Sequence, residues 1–265
     1  MLVAAAVCPH PPLLVPEAMG LAGLPAAGGP PGRSPSAGSH SDLGDLSDDA
    51  QIRALRAACG AAVAGLAAAR PDLIAVVGGA DQTADYEASA AGTLRSFGIP
   101  FTTGTGQPML PLSLTVGSWL IRRFLVAGWQ AAGAGRETCL VRLQAVRQSL
   151  PPAECLRLGA DLAGLAPRVA LLVLGDGSAR KAIGVHGAAD PAADEYDAAL
   201  TAALAAADAG GLARLDAALD GELMVAGRAA WQVLAGAGAG ARLRGQVRFA
   251  AAPLDVTYLV ASWAS

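Results

Sequence analysis

The sequence predicts a single α/β domain spanning residues 1–265, with a central mixed, mostly parallel sheet flanked by helices on both faces. Three observations predict it. Short aliphatic runs alternate with amphipathic stretches along most of the 265 residues, as in parallel strands joined by crossover helices. Two of those runs, "LIAVVGGADQ" and "LLVLGDGS", end in glycine-bearing turns, the form of a buried strand running into a loop. With 53% hydrophobic residues, the chain carries enough apolar surface for a substantial core, and its length fits one large domain.

The elements follow in order. "MLVAAAVC" is an apolar run of strand length, so a first strand is expected near residues 2–7, leading directly into "CPHPP". A lipoprotein signal also places a cysteine after small apolar residues, but here a charged start is lacking and the run is too short. Residues 20–48 are rich in Gly, Pro and Ser and lack periodicity, which predicts a mobile loop. Ile52, Leu55, Cys59, Val63 and Leu66 then recur at helical spacing, predicting a helix that ends near Arg70, with Asp48 and Gln51 in capping-box positions.

A second strand is expected over "LIAVVGG", completing a strand, helix, strand unit. The alternation continues with a helix over 113–129, a strand over 137–143, a helix over 152–166 and a strand over 168–178. Asp190, followed by Pro191, has the form of an N-cap with proline at the first helical position. A further helix is expected over 221–237. Two strand-like runs joined at "AAP" close the chain as an antiparallel pair, which makes the sheet mixed.

Composition narrows the function classes. A net charge of -3 and scattered Lys and Arg do not supply the basic field of a nucleic-acid partner. Cys8, Cys59, Cys139 and Cys155 show no CxxC spacing and read as reduced thiols in a cytoplasmic protein. No stretch reaches the ~18 uninterrupted apolar residues of a membrane span, so no membrane partner is expected.

Ligands of open α/β sheets bind outside the carboxyl ends of the strands, and three segments fall there: "CPHPP", "GGADQ" and "GDGSARK". Pro9 and Pro11 restrict the backbone around His10, which fixes the imidazole direction in advance. That suits a metal ligand or general base, although a lone turn histidine also serves as a hydrogen-bonded fixture. In "GDGSARK" two glycines, Ser178, Arg180 and Lys181 suggest an anion-binding nest, without Walker or Rossmann spacing; the alternative is a polar loop. Glu222, in the first turn of its expected helix, either ligates a cation or complements the helix dipole. Asp81 and Asp176, each just beyond a strand, share that ambiguity.

Taken together, "VCPHPPLLVPE", "LIAVVGGADQ", "LPLSLTVGSWL", "LLVLGDGSAR" and "ELMVAGRAAWQVL" resemble the class III extradiol ring-cleavage dioxygenase superfamily, in its LigB-like branch of the actinobacterial type. The likeness spans most of the chain, and the strand with its PHPPLL turn is its most specific part. The resemblance implies a non-haem Fe(II) held by two histidines and a glutamate, with a further histidine as acid/base on a catechol. Such a facial triad leaves positions open for the catecholate and O2. His10 matches the first histidine, and Glu222 is the candidate carboxylate.

Two positions depart from that pattern. Ala80 or Asp81 stands where the second histidine belongs, and Ala179 where the acid/base histidine does. Of the other histidines, His40 lies in the low-complexity loop and His186 beyond "KAIGV". Lost ligands weaken metal binding steeply, and a lost acid/base group costs ~10²- to 10⁴-fold in rate. The resemblance therefore implies a divergent member without ring-cleavage activity. The alternative is a metal-dependent enzyme of the same superfamily, with His10, Glu222 and Asp81 holding Fe(II) or another divalent cation beside Asp176, Ser178 and Arg180, acting on a small oxygenated substrate. A small-molecule ligand and a homo-oligomer are both compatible with either reading. His10, the 78–81 loop, the 176–180 loop and Glu222 are expected to converge on one cleft.

Overall fold

The computed structural model describes residues 1–16, 47–132, 139–179 and 190–265. The loop expected over 20–48 therefore falls almost wholly outside the described residues, as do His40, Arg180, Lys181 and His186.

The chain begins with β1 (Leu2–Cys8), every residue of which is buried. Helix α1 (Asp48–Gly65) and β2 (Leu73–Ala80) complete the first crossover unit. Next come short strands β3 (Ala84–Glu87), β4 (Ala90–Thr93), β5 (Thr102–Thr103) and β6 (Thr105–Pro108). Helices α2 (Leu112–Leu120) and α3 (Val126–Ala131) are joined without interruption by a π-helical turn, Ile121–Leu125. The pattern resumes with β7 (Leu140–Arg147), α4 (Pro152–Gly164) and β8 (Val169–Leu174). Helices α5 (Pro191–Ala206), α6 (Ala209–Ala213), α7 (Leu219–Glu222) and α8 (Arg228–Gly238) follow. Strands β9 (Arg244–Ala251) and β10 (Tyr258–Ala264) close the chain.

Among the described residues, the main sheet has the order β3-β7-β2-β8-β1-β10-β9. Its centre, β7-β2-β8-β1, is parallel; β3 and β10 run antiparallel to it at either side, and β9 pairs antiparallel with β10. The sheet is thus mixed and mostly parallel, as expected. Alternation along each strand splits the core between its two faces. Ala4, Ala6 and Cys8 of β1 pack with α1 and α2, whereas Leu2, Ala5 and Val7 pack with α4, α5 and α8. Residues 48–69 are long and apolar enough to cross a membrane, a test that core helices of globular proteins also pass. In the fold they form a core helix and its terminal turn, with Ile52, Leu55, Cys59, Val63 and Leu66 buried.

Several expected elements are corrected. The cap of α1 is Ser47, whose carbonyl accepts from Ala50 and Gln51 N–H groups, so Asp48 lies inside the helix and the Asp48/Gln51 box does not form. The strand expected over 137–143 is β7, displaced because its pairing with β2 sets Leu140 opposite Leu73 and Arg147 opposite Ala80. The strand over 168–178 stops at Leu174, which frees residues 175–178 as a loop. The small sheet β5-β4-β6 was not foreseen, since its strands are too short and polar to show a period.

The largest correction concerns the helix expected over 221–237. It is broken between α7 and α8, where Met224 takes a left-handed conformation (φ 52) and Gly227 lies under the Trp231 ring, too close for any Cβ. Glu222 accordingly ends a single short turn instead of opening a long helix. Elsewhere local rules hold: the Asp190 carboxylate caps α5 by accepting from Ala192 N–H at 3.0 Å.

Candidate functional site

Two neighbouring parallel strands in the middle of the sheet send their connections to opposite faces. From β1 the chain proceeds to α1, and from β8 to α5, each on its own side of the sheet. In open α/β sheets, such a divergence marks the carboxyl ends of the two strands as the place where ligands bind. Cys8 pairs with Leu174 there, and the Gly175 N–H donates to the Cys8 carbonyl at 3.0 Å. The "CPHPP" turn and the "GDGS" loop therefore leave the sheet side by side.

His10 is 6% exposed. Its backbone N–H donates to Asp176 Oδ1 at 2.8 Å, and its imidazole Nδ1 stands 3.4 Å from the same oxygen. That separation exceeds the ordinary N–H···O range, and Nδ1 is enclosed without a hydrogen-bond partner. The turn itself is held from below. Arg56 of α1 donates from Nε to Leu14 O at 2.7 Å and from Nη2 to Leu13 O at 3.0 Å.

A buried carboxylate anchors the loop after β8. Asp197 of α5, 5% exposed, accepts from Ser178 N–H at 3.1 Å and from the Ser178 hydroxyl at 2.6 Å. The Thr257 hydroxyl donates to it at 2.6 Å. Ser178 is fully enclosed with its hydroxyl committed to Asp197, so it acts as an anchor and has no path to a ligand. Asp197 was not singled out in the sequence, because one acid in an alanine-rich helix carries no local sign of burial.

The turn between α7 and α8 docks on the same loop. Ala179 N–H donates to Leu223 O at 3.0 Å, and Ala226 N–H to Asp176 O at 3.1 Å. Glu222, adjacent to Leu223, is itself exposed. Asp81 is exposed just past the end of β2. The structure thus brings His10 and Asp176 into direct contact and draws the chain beside Glu222 toward Ala179. No group of three His, Cys, Asp or Glu able to hold a metal forms among the described residues. His10 is the one histidine among them, and its Nδ1 faces a carboxylate. This donor set does not fit the two-histidine, one-carboxylate iron site that the resemblance implies.

A second polar cluster lies beside Gly79, behind the turn that carries Ala226. Arg228 at the start of α8 is 2% exposed. It donates to Asp220 Oδ2 at 2.8 Å, Leu150 O at 2.7 Å, Gln232 Oε1 at 3.0 Å and Gln148 O at 2.6 Å. Burial nonetheless raises the Asp220 carboxyl above its usual range, with Arg228 opposing. Sequence reasoning missed this cluster, although a lone arginine heading the apolar "AAWQVL" was a visible sign.

Burial also governs the neighbouring titratable groups. It pushes the Cys59 thiol up, with the adjacent Cys8 adding to the effect. It pushes the Tyr258 phenol up, with Asp176 second, and the Tyr196 phenol up, with Asp220 second. A phenol raised above its ordinary value of about 10 stabilises the fold fully below that pH. This contribution is lost as pH climbs toward the folded-state value. Ultraviolet titration of the folded protein should show no more than one of the three tyrosines ionised near pH ~11, the others ionising on unfolding. Two or more ionising with the far-ultraviolet dichroism unchanged would contradict the burial argument.

Fold and site together define an α/β protein with a mixed sheet and a buried histidine facing a partly exposed aspartate beyond the carboxyl ends of two central strands. No family model and no curated protein matches the chain. Among solved structures, the crystal structure of an uncharacterized protein from Escherichia coli K12 is similar over 99% of this chain and 100% of that one, at 13% identity and a TM-score of 0.46.

Proposed function

We propose that this chain is a divergent protein of the extradiol dioxygenase type that does not cleave catechol rings and binds a small molecule beyond the carboxyl ends of β1 and β8. One observation carries the reading: the histidine that matches the family pattern, His10, is turned toward the Asp176 carboxylate at 3.4 Å, while Ala179 occupies the expected acid/base position. A ring-cleaving site needs three ligands for iron, a base for the catechol and an acid for the ring-opened intermediate. The described residues supply one imidazole toward all of these tasks. The four free cysteines support placing the protein in the cytoplasm.

The test is anaerobic reconstitution with Fe(II), followed by O2 and either protocatechuate or catechol. Absorbance of the ring-opened product and iron bound per chain are measured for the wild type and for His10→Ala. The expected result is no product above the protein-free blank for either. Turnover by the wild type that disappears in His10→Ala would overturn the proposal, and would direct attention to His186 as the replacement for a missing histidine.

A further inference from the structure

We infer that Asp176 is a positioning residue for His10: it holds the imidazole with its proton on Nδ1 and leaves the lone pair on Nε2 for a ligand. This assignment stands whether or not the chain cleaves rings, because it concerns the ring's protonation pattern and not its turnover.

The backbone fixes both partners before the side chains meet. His10 lies between two prolines in a turn clamped by Arg56 through Leu13 O and Leu14 O. Asp176 lies in a loop tied down on both sides, by Ala226 N–H on its own carbonyl and by Thr257 O on Gly177 N–H. Its Oδ1 accepts the His10 backbone N–H at 2.8 Å, so the carboxylate is anchored to the very residue whose ring it faces.

The ring then has two neutral forms, and Asp176 distinguishes them. With a lone pair on Nδ1, two acceptor atoms face each other at 3.4 Å, and the nitrogen is itself enclosed. With a proton on Nδ1, the same approach becomes attractive, and a ring rotation that shortens it by ~0.4 Å gives an ordinary hydrogen bond. Nδ1 is otherwise an enclosed nitrogen without a partner, which native proteins rarely tolerate. The opposite nitrogen, Nε2, thereby becomes the acceptor that a ligand's hydroxyl or N–H group would meet. A carboxylate that sets the tautomer of a histidine in this way recurs wherever imidazole serves as a base or ligand.

The experiment uses the full ¹⁵N-labelled chain and long-range proton–nitrogen correlation of the imidazole rings near neutral pH. The three histidines are told apart by the signals missing from His10→Gln. The wild type should show a protonated Nδ1 on His10, and Asp176→Ala should move Nδ1 to the lone-pair range, with Asp176→Leu as the variant of similar volume and no acceptor should alanine fail to fold. A purely structural Asp176 would change the unfolding midpoint and leave the ring signals alone. A wild-type His10 with its proton on Nε2 alone, or a Nδ1 signal unmoved in both variants, would overturn the inference.

Discussion

Arg228→Ala should lower the free energy of unfolding by about 3–5 kcal/mol, the range for breaking a buried, hydrogen-bonded ion pair by removing one partner. The side chain is 2% exposed and meets four acceptors at once. Its removal leaves the Asp220 carboxylate, already disfavoured by burial, facing a cavity, and strips a donor from the carbonyls of Gln148 and Leu150. Those carbonyls follow the carboxyl end of β7, so Arg228 ties the start of α8 to that edge of the sheet. Through it, the turn holding Ala226 is kept against Asp176. Urea denaturation followed by far-ultraviolet dichroism measures the loss. Arg228→Lys should recover only part of it, since one ammonium cannot match the planar fork of donors. A cost below about 1 kcal/mol for Arg228→Ala would show that the cluster is already hydrated and adds little.

Gly159→Ala should cost about 3 kcal/mol or more, although the same change in most helices is stabilising by up to ~1 kcal/mol. Gly159 of α4 and Gly236 of α8 form the place where these two helices touch backbone to backbone. A Cβ at Gly159 would collide with Val233 O and one at Gly236 with Leu156 O. Backbone cannot rotate aside as a side chain does, so the two helices must separate and the core they cover, including Cys155, Leu162, Val233 and Leu234, loses contact. Gly236→Ala should behave alike. Gly65→Ala is the control: Gly65 is helical (φ -62) with no atom near its would-be Cβ, so its replacement should be neutral or stabilising. Equal effects at Gly159 and Gly65, measured by thermal unfolding, would show that the crossing is looser than described.

How far the site was legible depends on what each residue's role requires. His10 stood out because prolines on both sides are a local signature of a rigid turn, and Asp176 because it follows an apolar strand. Their contact was not legible, since 166 residues separate them and only the parallel pairing of Cys8 with Leu174 brings the two turns together. Ser178 was read as a pocket residue from its polar neighbourhood in sequence; burial under Asp197 and Thr257 makes it an anchor. Glu222 was placed on a long helix by hydrophobic periodicity, a signal that does not register the left-handed Met224 or the crowding of Gly227 by Trp231.

By itself the sequence determined the alternation of strands and helices, the mixed character of the sheet and the Asp190 cap of α5. These follow from periodicity, proline geometry and capping, which act within a few residues of the chain. Only the tertiary structure decided strand order, the register that displaced β7, the break before α8 and the buried clusters around Asp197 and Arg228. Those features arise from contacts between residues far apart in sequence, where packing and the need to satisfy buried polar groups override local preference.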